Sequence, residues 1–119
     1  MASRLAHILR KKETRKAGLE SALDLILAQL KKMGALKVIL FGSLAGGDVD
    51  VTSDLDLLVI MPATRTAKQW MKRVYETVER GVASDILVYT PEEFEQTLPG
   101  SHFLQNVVKT GRVVHEKAV

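Results

Sequence analysis

V-I-L-F-G-S-L-A-G-G-D-V-D-V-T-S-D-L-D-L-L-V-I-M, from Val38 to Met61, is the stretch that decides how this chain folds. Its two apolar runs, Val38–Phe41 and Leu55–Met61, have the length and β-branched content of buried strands. Between them lie a Gly42-Ser43 turn and an acidic, glycine-containing loop, and the second strand opens with Asp54 and Asp56. Positions two apart on a strand share a face. Both carboxylates therefore emerge side by side at the mouth of an otherwise apolar strand. Like charges held that close repel unless a cation neutralises them. A divalent ion that favours hard oxygen ligands, such as Mg²⁺, is the natural neutraliser. The Gly42-Ser43 corner supplies a complementary half: exposed backbone N–H groups and a small hydroxyl where a strand enters a short helix, an arrangement suited to phosphate. Metal-binding carboxylates facing a phosphate-binding turn describe a site for a nucleoside triphosphate.

The compound pattern, F-G-S followed by S-D-L-D-L-L-V, resembles the signature of the DNA polymerase β-type nucleotidyltransferase superfamily. The short chain is similar to its minimal nucleotidyltransferases, relatives of the kanamycin nucleotidyltransferase catalytic domain. The resemblance implies an α/β (α+β) fold with helices packed on a small mixed β-sheet. It also implies a third carboxylate on a later strand, and Asp85 in V-A-S-D-I-L-V-Y is the only acidic residue inside a later apolar run. On the family's pattern, Asp54 and Asp56 would bridge two Mg²⁺ ions. Asp85 would ligate the catalytic ion and help the acceptor hydroxyl lose its proton. Gly42 and Ser43 would hold the β- and γ-phosphates of ATP or another nucleoside triphosphate. The resemblance further implies transfer of a nucleoside monophosphate, AMP from ATP, to a hydroxyl on a partner protein. That partner would be a small helical HEPN-type ribonuclease toxin, with this chain as its antitoxin.

The chain departs from the family in one place. An arginine-containing stretch usually follows Gly-Ser, whereas Leu44-Ala45-Gly46-Gly47 contains none. That departure sustains a second reading: a non-catalytic nucleotide-binding subunit that neutralises a partner by occlusion.

Composition bounds these readings. A chain of 119 residues is expected to form one domain, with residues 1–18 as a basic helical arm. Absence of cysteine excludes a disulfide framework and thiolate chemistry, and fits a cytoplasmic protein. No apolar run approaches the roughly 18 residues of a membrane span, and His7 and Arg10 interrupt any secretory leader. The net charge of +3 is uneven: residues 1–18 hold six basic residues against Glu13 alone, leaving the remainder at −2. Such an arm could meet RNA or an acidic partner. It carries no interleaved aromatics, so a solvated helix face is the expectation, and nucleic acid is not favoured.

Around the core stretch the elements follow from periodicity and punctuation. Ser3 caps a first helix that continues or breaks near Lys11–Lys16. Leu19, Leu23, Ile26, Leu30 and Met33 then recur at helical spacing up to Gly34. The first strand spans Lys37–Phe41. Asp48 and Asp50 read as solvated loop residues, and Ser53 as a local fastener of that loop. A helix is expected over Ala67–Arg80 with Trp70 as a core anchor, a third strand over Val82–Tyr89, and a Thr90-Pro91 helix start running to Leu98. Phe103, Leu104, Val107 and Val108 make a last amphipathic helix closed by Gly111, whose exposed apolar face could serve a partner or a self-contact, and Arg112–His115 make a final strand. His7, His102 and His115 show no metal-ligand spacing.

Overall fold

The computed structural model describes residues 3–118. In chain order it holds α1 (Arg4–Lys32), β1 (Lys37–Phe41), α2 (Gly42–Gly46), β2 (Leu55–Ile60), α3 (Ala67–Thr77), β3 (Ser84–Tyr89), α4 (Pro91–Thr97), α5 (His102–Thr110) and β4 (Arg112–Glu116). The strands form one mixed sheet in the order β3-β2-β1-β4. β1 lies antiparallel to both β2 and β4, and β3 runs parallel to β2 after the α3 crossover. This is the mixed α/β architecture expected from the sequence.

Ser3 caps α1 as expected, its Oγ accepting the Ala6 N–H at 3.1 Å. The helix then runs unbroken through Lys11–Lys16, since Lys, Arg, Glu and Ala are strong helix formers. Leu19, Leu23, Ile26 and Leu30 are buried against one face of the sheet, with Val38, Leu40, Leu57 and Val59 beneath them. Trp70 joins that layer as an anchor and donates its indole N–H to the Pro62 carbonyl at 2.8 Å. The opposite face carries a smaller cluster of Ile39, Leu58, Ile60, Leu104 and Val107, covered by α4 and α5. Alternation along the strands therefore feeds two cores, which is why β2 reads as nearly continuous apolar sequence.

Two boundaries differ from expectation for tertiary reasons. α3 ends at Thr77 rather than Arg80. Gln29 of α1 intercepts the chain there: its Oε1 accepts the Glu79 N–H at 2.8 Å and its Nε2 donates to the Glu79 carbonyl at 2.7 Å. Those backbone groups find partners without another helical turn. β3 starts at Ser84 rather than Val82, because pairing with β2 begins only where Ser84 meets Leu55. At the other end, a Cβ on Gly111 would lie 2.6 Å from Ile39 Cγ2, so the tight turn from α5 into β4 has room only for glycine. No described helix is long and apolar enough to cross a membrane.

Leu57 is fully buried at the centre of the sheet, whereas Leu5 on the outer part of α1 is 65% exposed. Leu57→Ala is expected to cost about 2–5 kcal/mol in urea unfolding. Leu5→Ala should stay within about 0.5 kcal/mol of the parent.

Candidate active site

Register assembles the site. Phe41, the last residue of β1, pairs with Asp56 of β2, and Asp56 pairs in turn with Asp85 of β3. Residues directly opposite on neighbouring strands point to the same face, so Phe41, Asp56 and Asp85 form one row at one end of the sheet. Asp54 precedes β2 by one residue and shares the face of Asp56. The row lies on the α5 side: Ile39, Leu58 and Ile60 further along that face are covered, but the acidic end is not. Asp85 is exposed rather than held on the buried face that its apolar neighbours suggest, because Ile86 and Val88 alternate into the core and leave Asp85 and Leu87 opposite.

Gly42 is tied to this row sterically. Its φ of +75° is one that L side chains rarely adopt, and a Cβ there would collide with Oδ2 of Asp56. The glycine lets the backbone at the start of α2 approach the carboxylate directly. Ser43 follows in α2, and its carbonyl accepts the Asp48 N–H at 3.0 Å, closing the turn. Beyond it, Asp48 and Asp50 are exposed loop residues, as expected. Ser53 is the local fastener: its Oγ accepts the Asp50 N–H at 2.7 Å, while its own N–H donates to the Asp50 carbonyl at 3.1 Å.

Asp56 is half-buried, and its pKa is raised above 3.8, first by burial and then by the charges of Asp85 and Asp54. Like charge within the acidic group thus adds to burial in raising the pKa of Asp56. Asp54 is drawn toward the one basic group nearby, with Oδ1 3.7 Å from Nη2 of Arg15. As the side chains stand, no three acidic or imidazole groups among the described residues enclose a metal position. The donor set nonetheless fits a hard divalent cation: carboxylates from one row, a raised Asp56, and no competing thiolate or imidazole. Of the three histidines, His115 contacts the Ala35 carbonyl at 3.0 Å.

Two contributors were not visible in the sequence reading. Arg15 of α1 donates from Nε to the Ser53 carbonyl at 2.8 Å, pinning the loop that delivers Asp54 and Asp56. Its signal was its place four residues before Leu19, on the core-facing side of the helix. Phe103 of α5 packs edge-on against Phe41 with ring centroids 5.6 Å apart, placing an exposed aromatic ring at the acidic end of the sheet.

The structure thus combines a mixed sheet with a glycine corner and an acidic row at one end. The chain belongs to the nucleotidyltransferase domain family, whose model matches residues 23–115. A crystal structure from Sulfolobus solfataricus, described as a candidate nucleotidyltransferase, shares the fold with a TM-score of 0.59 at 21% identity, covering 90% of this chain and 87% of that one. No curated protein matches the chain.

The raised pKa of Asp56 makes a signed prediction. The folded protein binds this proton more tightly than the unfolded chain, so stability falls as pH rises through the acid range. In the presence of EDTA, Asp56→Asn is expected to be more stable than the parent at pH 7. The advantage should vanish as pH drops below 3.8, where both states are protonated. Urea midpoints at neutral and acid pH measure it.

Proposed function

We propose that this chain transfers a nucleoside monophosphate, AMP from ATP, to a hydroxyl on a partner protein. The observation that carries this reading is the row Phe41–Asp56–Asp85 with Gly42 packed against Asp56, which brings the backbone of the glycine corner beside paired carboxylates. Asp54, Asp56 and Asp85 would hold two Mg²⁺ ions, which when bound supply charge neutralisation for the entering and leaving oxygens. Gly42 and Ser43 would receive the β- and γ-phosphates through backbone N–H and hydroxyl groups, orienting the triphosphate across the end of the sheet.

The acceptor oxygen attacks the α-phosphorus, forming one P–O bond as the bond to the β-phosphate oxygen breaks and pyrophosphate departs. Asp85, exposed at the open edge of the row, takes the acceptor's proton. A cation beside Asp56 would offset the burial, and the charges of Asp85 and Asp54, that raise its pKa. Catalysis of this kind rests on positioning and electrostatics. That places the burden on residues fixed by the strand ladder.

In this reading the acceptor hydroxyl belongs to a partner protein. A helical ribonuclease toxin of the HEPN type fits that role, with this chain as a cytoplasmic antitoxin; this step rests on analogy with the family. One observation favours a second reading, that the chain binds nucleotide and silences its partner by occlusion. Leu44-Ala45-Gly46-Gly47 offers no arginine to the triphosphate. Arg15 partly answers it by bringing a guanidinium to Asp54 from a different element.

The purified protein is mixed with Mg²⁺, ATP labelled on its α-phosphate, and the product of the adjacent gene. Label on the neighbour supports transfer; a stable unlabelled complex supports occlusion. Asp56→Ala should reduce labelling by about 10²-fold or more while keeping the parent's circular dichroism spectrum. Labelling at the parent rate by that variant would remove the reading.

A further inference from the structure

α1 is longer than the core that covers it. Its buried residues begin only at Leu19, although the helix begins at Arg4, so about 20 Å of helix projects beyond the sheet. The 57 × 30 × 25 Å extents of the molecule reflect this. The match to the family model also starts only at residue 23, beyond the projecting half.

The projecting half is patterned. Leu19, Leu23, Ile26 and Leu30 form the core-facing seam, spaced by alternating steps of four and three. Counting back by the same steps gives Lys16, Lys12, Leu9 and Leu5. This is a 3.5-residue repeat, the periodicity with which one helix packs along another. Inside the fold the sheet fills that seam; outside it, Leu5 and Leu9 stand 65% and 49% exposed, with Ile8 beside them at 43%.

The two seam lysines say what could fill it. A cation at a seam position weakens pairing with an apolar partner and selects one that answers its charge. On the adjoining flank, Arg10, Lys11 and Arg15 line an open groove of about 620 Å³ together with His7 and Val51. Among the described residues, the arm's only ion pair is Arg15 with Asp54. A second copy would bring a second arm of net +5 against the first. Nucleic acid would satisfy the charge but leave the leucine stripe in water, and the arm has no aromatic on which bases could stack.

We propose that the outer half of α1 is a docking seam for a helix of a partner protein, with apolar residues opposite Leu5 and Leu9 and carboxylates opposite Lys12 and Lys16. The seam ends one residue from Arg15, whose Nε holds the loop carrying Asp54. A helix seated there lies against the element that positions the acidic row. The docking itself requires neither nucleotide nor catalysis, so it stands or falls separately from the transfer reaction.

The test uses the full chain without nucleotide and two labelled synthetic four-heptad peptides. Both carry leucine seams, interrupted by two glutamates in one peptide and by two lysines in the other. Fluorescence anisotropy should show the glutamate peptide bound about tenfold more tightly, equivalent to about 1.4 kcal/mol. Lys12→Glu with Lys16→Glu should reverse the preference. Leu9→Asp, and separately Leu9→Gln, should weaken binding about tenfold with an unchanged unfolding midpoint. Binding of neither peptide, or equal binding of both, would overturn the proposal. So would a dimer of the chain in sedimentation that Leu9→Asp dissolves, which would assign the seam to a second copy. Binding of a single-stranded oligonucleotide that depends on Lys12 and Lys16 but not on Leu9 would overturn it in favour of nucleic acid.

Discussion

The parallel pairing of β2 with β3 is the constraint on which the rest depends. It sets Asp56 directly beside Asp85, an arrangement that side-chain energetics alone would oppose, since acidic groups directly opposite one another repel. The ladder holds because the residues that follow, Leu57 with Ile86 and Val59 with Val88, bury completely or nearly so beneath α1 and α3. Hydrophobic burial along the strands outweighs charge repulsion at their ends. The raised pKa of Asp56 reflects its burial first and the neighbouring charges of Asp85 and Asp54 second. A site built this way carries its acidic groups at the ends of paired strands whose apolar residues are buried.

The antiparallel partner completes the geometry from the other side. With Phe41 paired to Asp56, the chain must leave β1 beside a carboxylate, and Gly42 is the residue that permits it. A larger side chain there would meet Asp56 before any ligand could. The strand order thus determines the glycine as much as the glycine determines the turn. Ser53 and Arg15 then secure the loop between the corner and β2: one ties it to itself, the other to α1.

α1 links two levels of organisation. Its inner half is structural, giving Leu19, Leu23, Ile26 and Leu30 to the larger core. Gln29 from the same half ends α3 by capturing the backbone of Glu79. Arg15 marks the changeover, touching the loop of the acidic row at the point where the helix leaves the sheet. Beyond it the seam repeat continues although the core does not. A helix that covers a sheet at one end and projects at the other places surface close to the site without altering the site itself.

Much of this was legible along the chain because it is encoded locally. Lys37–Phe41 reads as a strand from its own residues, Ser3 and Thr90 announce helix starts by their side-chain chemistry, and the spacing of Asp54 and Asp56 assigns both to one face. Other features depend on contacts between distant segments and had to be seen folded. The place of Asp85 in the row is set by interstrand register across the intervening α3, and its exposure by which face of β3 the core takes. The stop of α3 rests on a glutamine 50 residues earlier, and the clamp on Ser53 on an arginine 38 residues before it. Periodicity and capping are properties of neighbours in sequence, so the chain alone determined the elements and the acidic pair. Register, burial and long-range hydrogen bonds arise only when elements meet, so the tertiary structure decided how those acids are grouped and what holds them.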